Sequence, residues 1–189
     1  MEKFKIKLLP PFVKGMMATY MLTVIVVLLF ITCEDIRIGK TREELSKDMF
    51  EFMISSGGIG LTANQVGLPY NMFVAGGHPK IERGLRLTAF NPEIISTSKE
   101  EIMIKEGCLS FPFLFLNIKR PRKCVLKYED EYGKLKESHC DGMFARIVQH
   151  EMDHTLGRTF TEYASKLKLD MATKKAVKHI KLLSKQRQT

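Results

Sequence analysis

Cysteine is sparse. Four residues in 189 (Cys33, Cys108, Cys124 and Cys140) are too few for a disulfide-stapled secreted scaffold. They read as reduced thiols, of which one or two serve a function. Proline and glycine are modest, at 7 and 13 residues, and show no collagen-like period. No internal repeat or low-complexity tract is present. Strands and helices do not alternate as βαβ units, which excludes a doubly wound sheet. What remains is ordinary globular composition, 44% hydrophobic and 27% charged, which excludes global disorder. A chain of this length forms one domain with a sizeable core.

Acidic charge is also short: 21 Asp+Glu stand against 30 Lys+Arg, a net +9. A basic balance points to nucleic acid, the ribosome or an anionic membrane as partner. The excess is concentrated at the C-terminus. Residues 166–189 hold eight Lys/Arg against Asp170 alone, so this tail carries +7 of the +9. With Leu167, Met171, Val177, Ile180 and Leu183 interspersed and no Pro or Gly, it predicts a basic amphipathic helix. Such a helix is either a solvated surface element or a docking element.

The N-terminus reads in two ways. Between Lys14 and Glu34 lie nineteen uncharged residues with a dense apolar centre, preceded by Lys3, Lys5, Lys7 and Lys14. The length suits a membrane span or signal segment. The β-branched run Thr23-Val-Ile-Val-Val27 equally suits a buried strand. The chain therefore divides into an apolar segment over 1–33, a catalytic domain over 34–165 and a basic helix over 166–189.

Residues 41–55 predict a helix, with Thr41 and Glu44 forming a capping box and Leu45, Met49, Phe52 and Met53 on one face. Strand-like runs follow at 71–75, 85–90, 101–105 and 123–128, then a turn over 129–133 and a return over 134–139. Asp141 is placed to cap a helix that ends near Gly157. The fold class is α+β: antiparallel sheets packed around a central helix, plus the C-terminal helix.

That central helix carries Gln149-His150-Glu151-Met152-Asp153-His154. Histidines four apart project from one helical face, so two imidazoles can bind one metal ion. Glu151 lies beside them, placed to reach a water on such an ion. A catalytic ion needs a third protein ligand. Two candidates stand open: the carboxylate of Glu162 downstream, and the thiolate in Glu106-Gly107-Cys108-Leu109-Ser110. A Gly-rich stretch, Gly57-Gly58-Ile59-Gly60-Leu61-Thr62-Ala63-Asn64-Gln65-Val66-Gly67, implies sharp bends or close approach to a ligand. It lacks the Lys-Ser/Thr ending of a phosphate loop, which excludes nucleotide binding.

The three elements, in this order, resemble the three motifs of peptide deformylases. The likeness extends through Arg120-Pro121, Tyr128–Gly133 and Asp141-Gly142, covers residues 41–165, and looks closest to bacterial and phage-type members. It implies that Cys108, His150 and His154 ligate one divalent metal, usually Fe²⁺, with Zn²⁺ or another ion able to take its place. It also implies that Glu151 is the general base, and that Gln65 and the backbone N–H of Leu109 donate to the developing oxyanion. The implied substrate is an N-formyl-methionyl peptide, which loses formate. The peptide would pair with backbone near Ile59, Gly60 and Leu109, and its methionine would sit among Ile59, Met143 and Ile147. Residues 111–116 would form a wall, with at least half of them in ordinary core. The implied location is the cytoplasm, near the ribosomal tunnel exit through the basic helix, with membrane association possible only through residues 15–33. Asp153 is expected to fix the helix and an imidazole. Three features depart from the family pattern: the apolar segment before Cys33, where members start with a polar stretch and a strand; Thr62, where Ala is usual; and Arg146, expected to face outward, where an apolar residue is usual. A different His-Glu-x-x-His metallopeptidase, or an inactive docking homologue, is the alternative.

Overall fold

The computed structural model describes residues 40–186. The apolar run at 15–33 and the end of the basic tail lie outside the described residues. Helix α1 (Arg42–Ser55) begins as the sequence predicts: the Thr41 hydroxyl accepts from the Glu44 N–H, and the Glu44 carboxylate accepts from the Thr41 N–H. Seven strands follow, β1 (Gly60–Thr62), β2 (Met72–Gly76), β3 (Arg86–Thr97), β4 (Glu101–Cys108), β5 (Phe111–Pro121), β6 (Lys123–Glu129) and β7 (Leu135–Asp141). Helices α2 (Gly142–Thr155) and α3 (Lys166–Gln186) complete the described chain.

Every strand pair is antiparallel. β1-β2-β3-β6-β7 form one sheet, and β4-β5 form a second, two-stranded sheet. Helix α1 buries Leu45, Met49 and Met53 against Leu61, Met72 and Val74 of the larger sheet. Helix α2 buries Phe144, Ala145, Ile147 and Val148 against Phe73, Ala75, Cys124 and Leu126 of the same sheet. The β4-β5 hairpin closes over the other side of α2, with Leu114, Leu116, Ile118 and Phe160 as a third apolar cluster.

Three elements differ from the sequence reading. β3 does not stop at Phe90 but runs to Thr97. Asn91, at φ 48°, and the register shifts after Phe90 and Ile94 absorb the Asn-Pro break as irregular steps within the strand. Residues 111–121 are strand β5, with alternating burial. Leu114 and Leu116 join the core, Phe111 packs on it half-buried, and Phe113 and Phe115 face outward. In α3 the docked side is Leu169, Ala172 and buried Ala176; Leu167 and Met171, expected on that face, are exposed. Among the described residues no helix is long and apolar enough to cross a membrane.

Candidate active site

Helix α2 delivers the site. It starts directly from β7, with Asp141 in the capping position and its carboxylate turned to Arg122, and it ends before Gly157 at φ 70°. His150, Glu151, Asp153 and His154 are all buried on it. The end of β4 brings Cys108 to the same place. The ligand atoms of Cys108, His150 and His154 lie within 4.8 Å of one another, and Cys108 Sγ is 3.2 Å from His154 Nε2. One thiolate and two imidazoles at such separations fit a four-coordinate divalent ion with one position left over. Burial, with the nearby His150 and Arg120 charges, pushes the His154 ring down to about 3; at His150 burial acts the same way but is outweighed by the Cys108 and Glu106 partners, which push that ring up to about 10.

Glu106 lies two residues before Cys108 on β4 and organises the ligands from behind. Its carboxylate accepts from His150 Nδ1 at 2.9 Å, from Arg120 Nε and Nη2 at 2.8 and 3.1 Å, and from Arg146 Nη1 at 2.6 Å. Burial alone would raise this carboxyl, but the His150 and arginine partners hold it down to about 2. With Nδ1 engaged, His150 is left with Nε2 for the ion.

Arg146, expected to face outward, is instead buried. It donates to Glu106 and to the carbonyls of Ile118 and Ile102, which ties α2 to both strands of the small sheet. A buried cation on an apolar helix face is stable here because a carboxylate and two carbonyls meet it. Asp153 also differs from expectation. It accepts from Arg120 at 2.5 Å and from the Tyr163 hydroxyl at 2.8 Å, and fixes the helix through them rather than through an imidazole. Glu162 is not at the site: it accepts from the Thr159 N–H in the short helix at Phe160–Tyr163, which removes it as third ligand.

The Gly-rich segment passes over the other side of Glu151. β1 approaches so closely that a Cβ on Gly60 would lie 2.3 Å from Glu151 Oε1 and 2.9 Å from Ile147 Cγ2. The Thr62 hydroxyl donates to Glu151 Oε2 at 2.6 Å. Burial pushes the Glu151 carboxyl up, partly offset by His150 and by the Thr62 hydroxyl. The Thr62 N–H donates to Gln65 Oε1 at 2.8 Å, so the Gln65 amide nitrogen points to Cys108 Sγ at 3.5 Å and Ser110 Oγ at 3.0 Å.

All of this opens on a cavity of about 800 Å³. Ile59, Gly60, Leu109, Met143 and Ile147 line it, together with Gln65, Cys108, His150 and Glu151. The structure thus gathers the residues singled out from the three motifs, and leaves Glu162 outside. The sequence reading assigned no role to Glu106 or Arg120, and left Thr62 and Arg146 as departures. Glu106 was marked only by sharing a strand face with Cys108, and Arg146 by lying one helical turn before His150.

Comparison with known proteins agrees with this geometry. The family profile described as Polypeptide deformylase matches residues 21–170, and so reaches back into the apolar run. A peptide deformylase of Bartonella tribocorum is 40% identical over 141 residues, 74% of this chain and 79% of the relative. The crystal structure of a peptide deformylase from Legionella pneumophila superposes with a TM-score of 0.67 at 34% identity, over 77% of this chain and 84% of that one. One from Synechococcus elongatus, in complex with actinonin, gives 0.65 at 34% identity over 74% and 76%. The chain belongs to the peptide deformylase family, metal-dependent hydrolases that remove the formyl group from nascent peptides.

Proposed function

We propose that Cys108, His150 and His154 hold one divalent ion with which this chain releases formate from N-formyl-methionyl peptides. The observation that carries the assignment is the convergence of these three side chains, with Cys108, His150 and Glu151 lining one cavity. We assign Fe²⁺ as the ion, and the same donors suit Zn²⁺. When bound, the metal supplies Lewis acidity that activates water and polarises the formyl carbonyl. Glu151 takes the proton of the attacking water and hands it to the amine as the formyl C–N bond breaks. Gln65 Nε2 and the Leu109 N–H donate to the oxyanion that develops on the formyl oxygen. Ile59, Gly60, Met143 and Ile147 hold the methionine side chain, and the peptide backbone adds as a strand beside Ile59, Gly60 and Leu109.

The test is a formate-release assay on formyl-Met-Ala with metal analysis. Glu151→Gln should retain metal and lose turnover by a factor of about 100 or more, in the range of general base catalysis. Cys108→Ala should lose the metal itself. Near-normal turnover by Glu151→Gln, or full metal retention by Cys108→Ala, would remove the assignment.

We keep the catalytic domain at 34–165, with the family match reaching back to residue 21. We place the enzyme in the cytoplasm, with the basic face of α3 meeting ribosomal RNA.

A further inference from the structure

We propose that Thr62 is a positioning residue that sets the general base and the oxyanion donor in register. The inference rests on the assignment of Glu151 and Gln65 made above. Thr62 is almost fully buried and reaches both groups at once. Its hydroxyl donates to Glu151 Oε2 at 2.6 Å, and its backbone N–H donates to Gln65 Oε1 at 2.8 Å. The first bond decides which carboxylate oxygen reacts. Oε2 is occupied, so Oε1, pressed against the Gly60 backbone, is the atom free to take a proton. Gly60 and Ile147 line the cavity on that side.

The second bond orients an amide that otherwise has two equivalent directions. With Oε1 of Gln65 accepting from Thr62, Nε2 must face Cys108 and Ser110, where it can donate to substrate oxygen. The hydroxyl comes from β1, so the contact joins that strand to the base on α2. It supplies a fixed donor to a carboxylate that is itself buried.

The test is a substitution series in the metal-loaded enzyme. Thr62→Val keeps the β-branched shape and removes the donor; Thr62→Ala removes both; Thr62→Ser keeps the donor. Val and Ala should lower kcat about tenfold or more with KM within about twofold and metal content unchanged, because the lost contact acts on the reacting geometry and not on binding. Ser should stay within about threefold of the parent. A crystal structure of loaded Thr62→Val should show the Glu151 carboxylate turned from its place beside Gly60. Should Val fail to fold, Ala and Ser decide. Parent-like kcat in Val and Ala, an equal loss in Ser, or an unmoved carboxylate in the Val structure would overturn the proposal. Glu151→Gln assayed in parallel separates the two readings: if it turns over, the base assignment has failed, and if it is inactive while Val is parent-like, only the role of Thr62 has failed.

Discussion

A side chain of one hydrogen in place of a methyl decides whether the base has room. Gly60→Ala would place Cβ within 2.3 Å of Glu151 Oε1, with the Ile147 methyl 2.9 Å away. The carboxylate must swing off, while the metal ligands stay where they are. Turnover should fall by about two orders of magnitude with metal content intact, measured by formate release and metal analysis. Glu106 acts on the other side of the ligands. Replacing it by Gln leaves Arg120 and Arg146 without their shared anion and weakens the hold on His150. Metal affinity should drop about 10- to 100-fold in a chelator competition. The same residue sets an acid limit. Its folded value of about 2 lies below the ordinary 4.5, so its contribution to stability is full above pH 4.5 and is lost as pH falls toward 2. At about 1.36 kcal/mol per unit the contribution is about 3 kcal/mol. Denaturant midpoints should therefore fall over that window in the parent and change less in Glu106→Gln.

Helices and strands differ in how openly the sequence declares them. Helices α1 and α2 were legible because their signals are local: a capping box at Thr41 and Glu44, and apolar residues at one-turn spacing before His150. The three motifs likewise contain Cys108, His150, His154 and Glu151, the side chains that meet at the candidate site. Strand β5 was hidden because Phe111-Pro-Phe-Leu-Phe-Leu116 is continuously apolar, and the alternation appears only once Phe113 and Phe115 are seen facing outward. Arg146 was misread for a related reason. A charge on an apolar helix face reads as outward until the position of Glu106, forty residues earlier, is known. The docked face of α3 escaped because small residues carry it. Ala176 is almost fully buried, in a helix otherwise half-buried or exposed. Ala176→Leu should overpack that contact and cost about 1–3 kcal/mol of stability, read by thermal melting, with formate release per folded molecule preserved.

At the scale of the whole molecule, charge and chemistry are segregated. Lys174, Lys175, Lys178 and Lys181 are exposed on α3, which packs on β5 away from the larger sheet. Changing these four to Glu should leave hydrolysis of a short formyl peptide intact. It should abolish the salt-sensitive part of ribosome cosedimentation. Unchanged cosedimentation would return α3 to a solvated surface role.

The ligand set bridges two bodies of structure. Cys108 belongs to the two-stranded sheet, whereas His150 and His154 ride on a helix seated on the five-stranded one. Covalently, the small sheet joins the large one only through residues 98–100 and Arg122. A bound ion is therefore a further rivet between bodies already tied by the Arg120–Asp153, Arg146–Glu106 and His150–Glu106 contacts, and its removal should register as breathing and not as melting. Amide hydrogen exchange in β4 and β5 should quicken on chelation while β2 and β3 hold their protection.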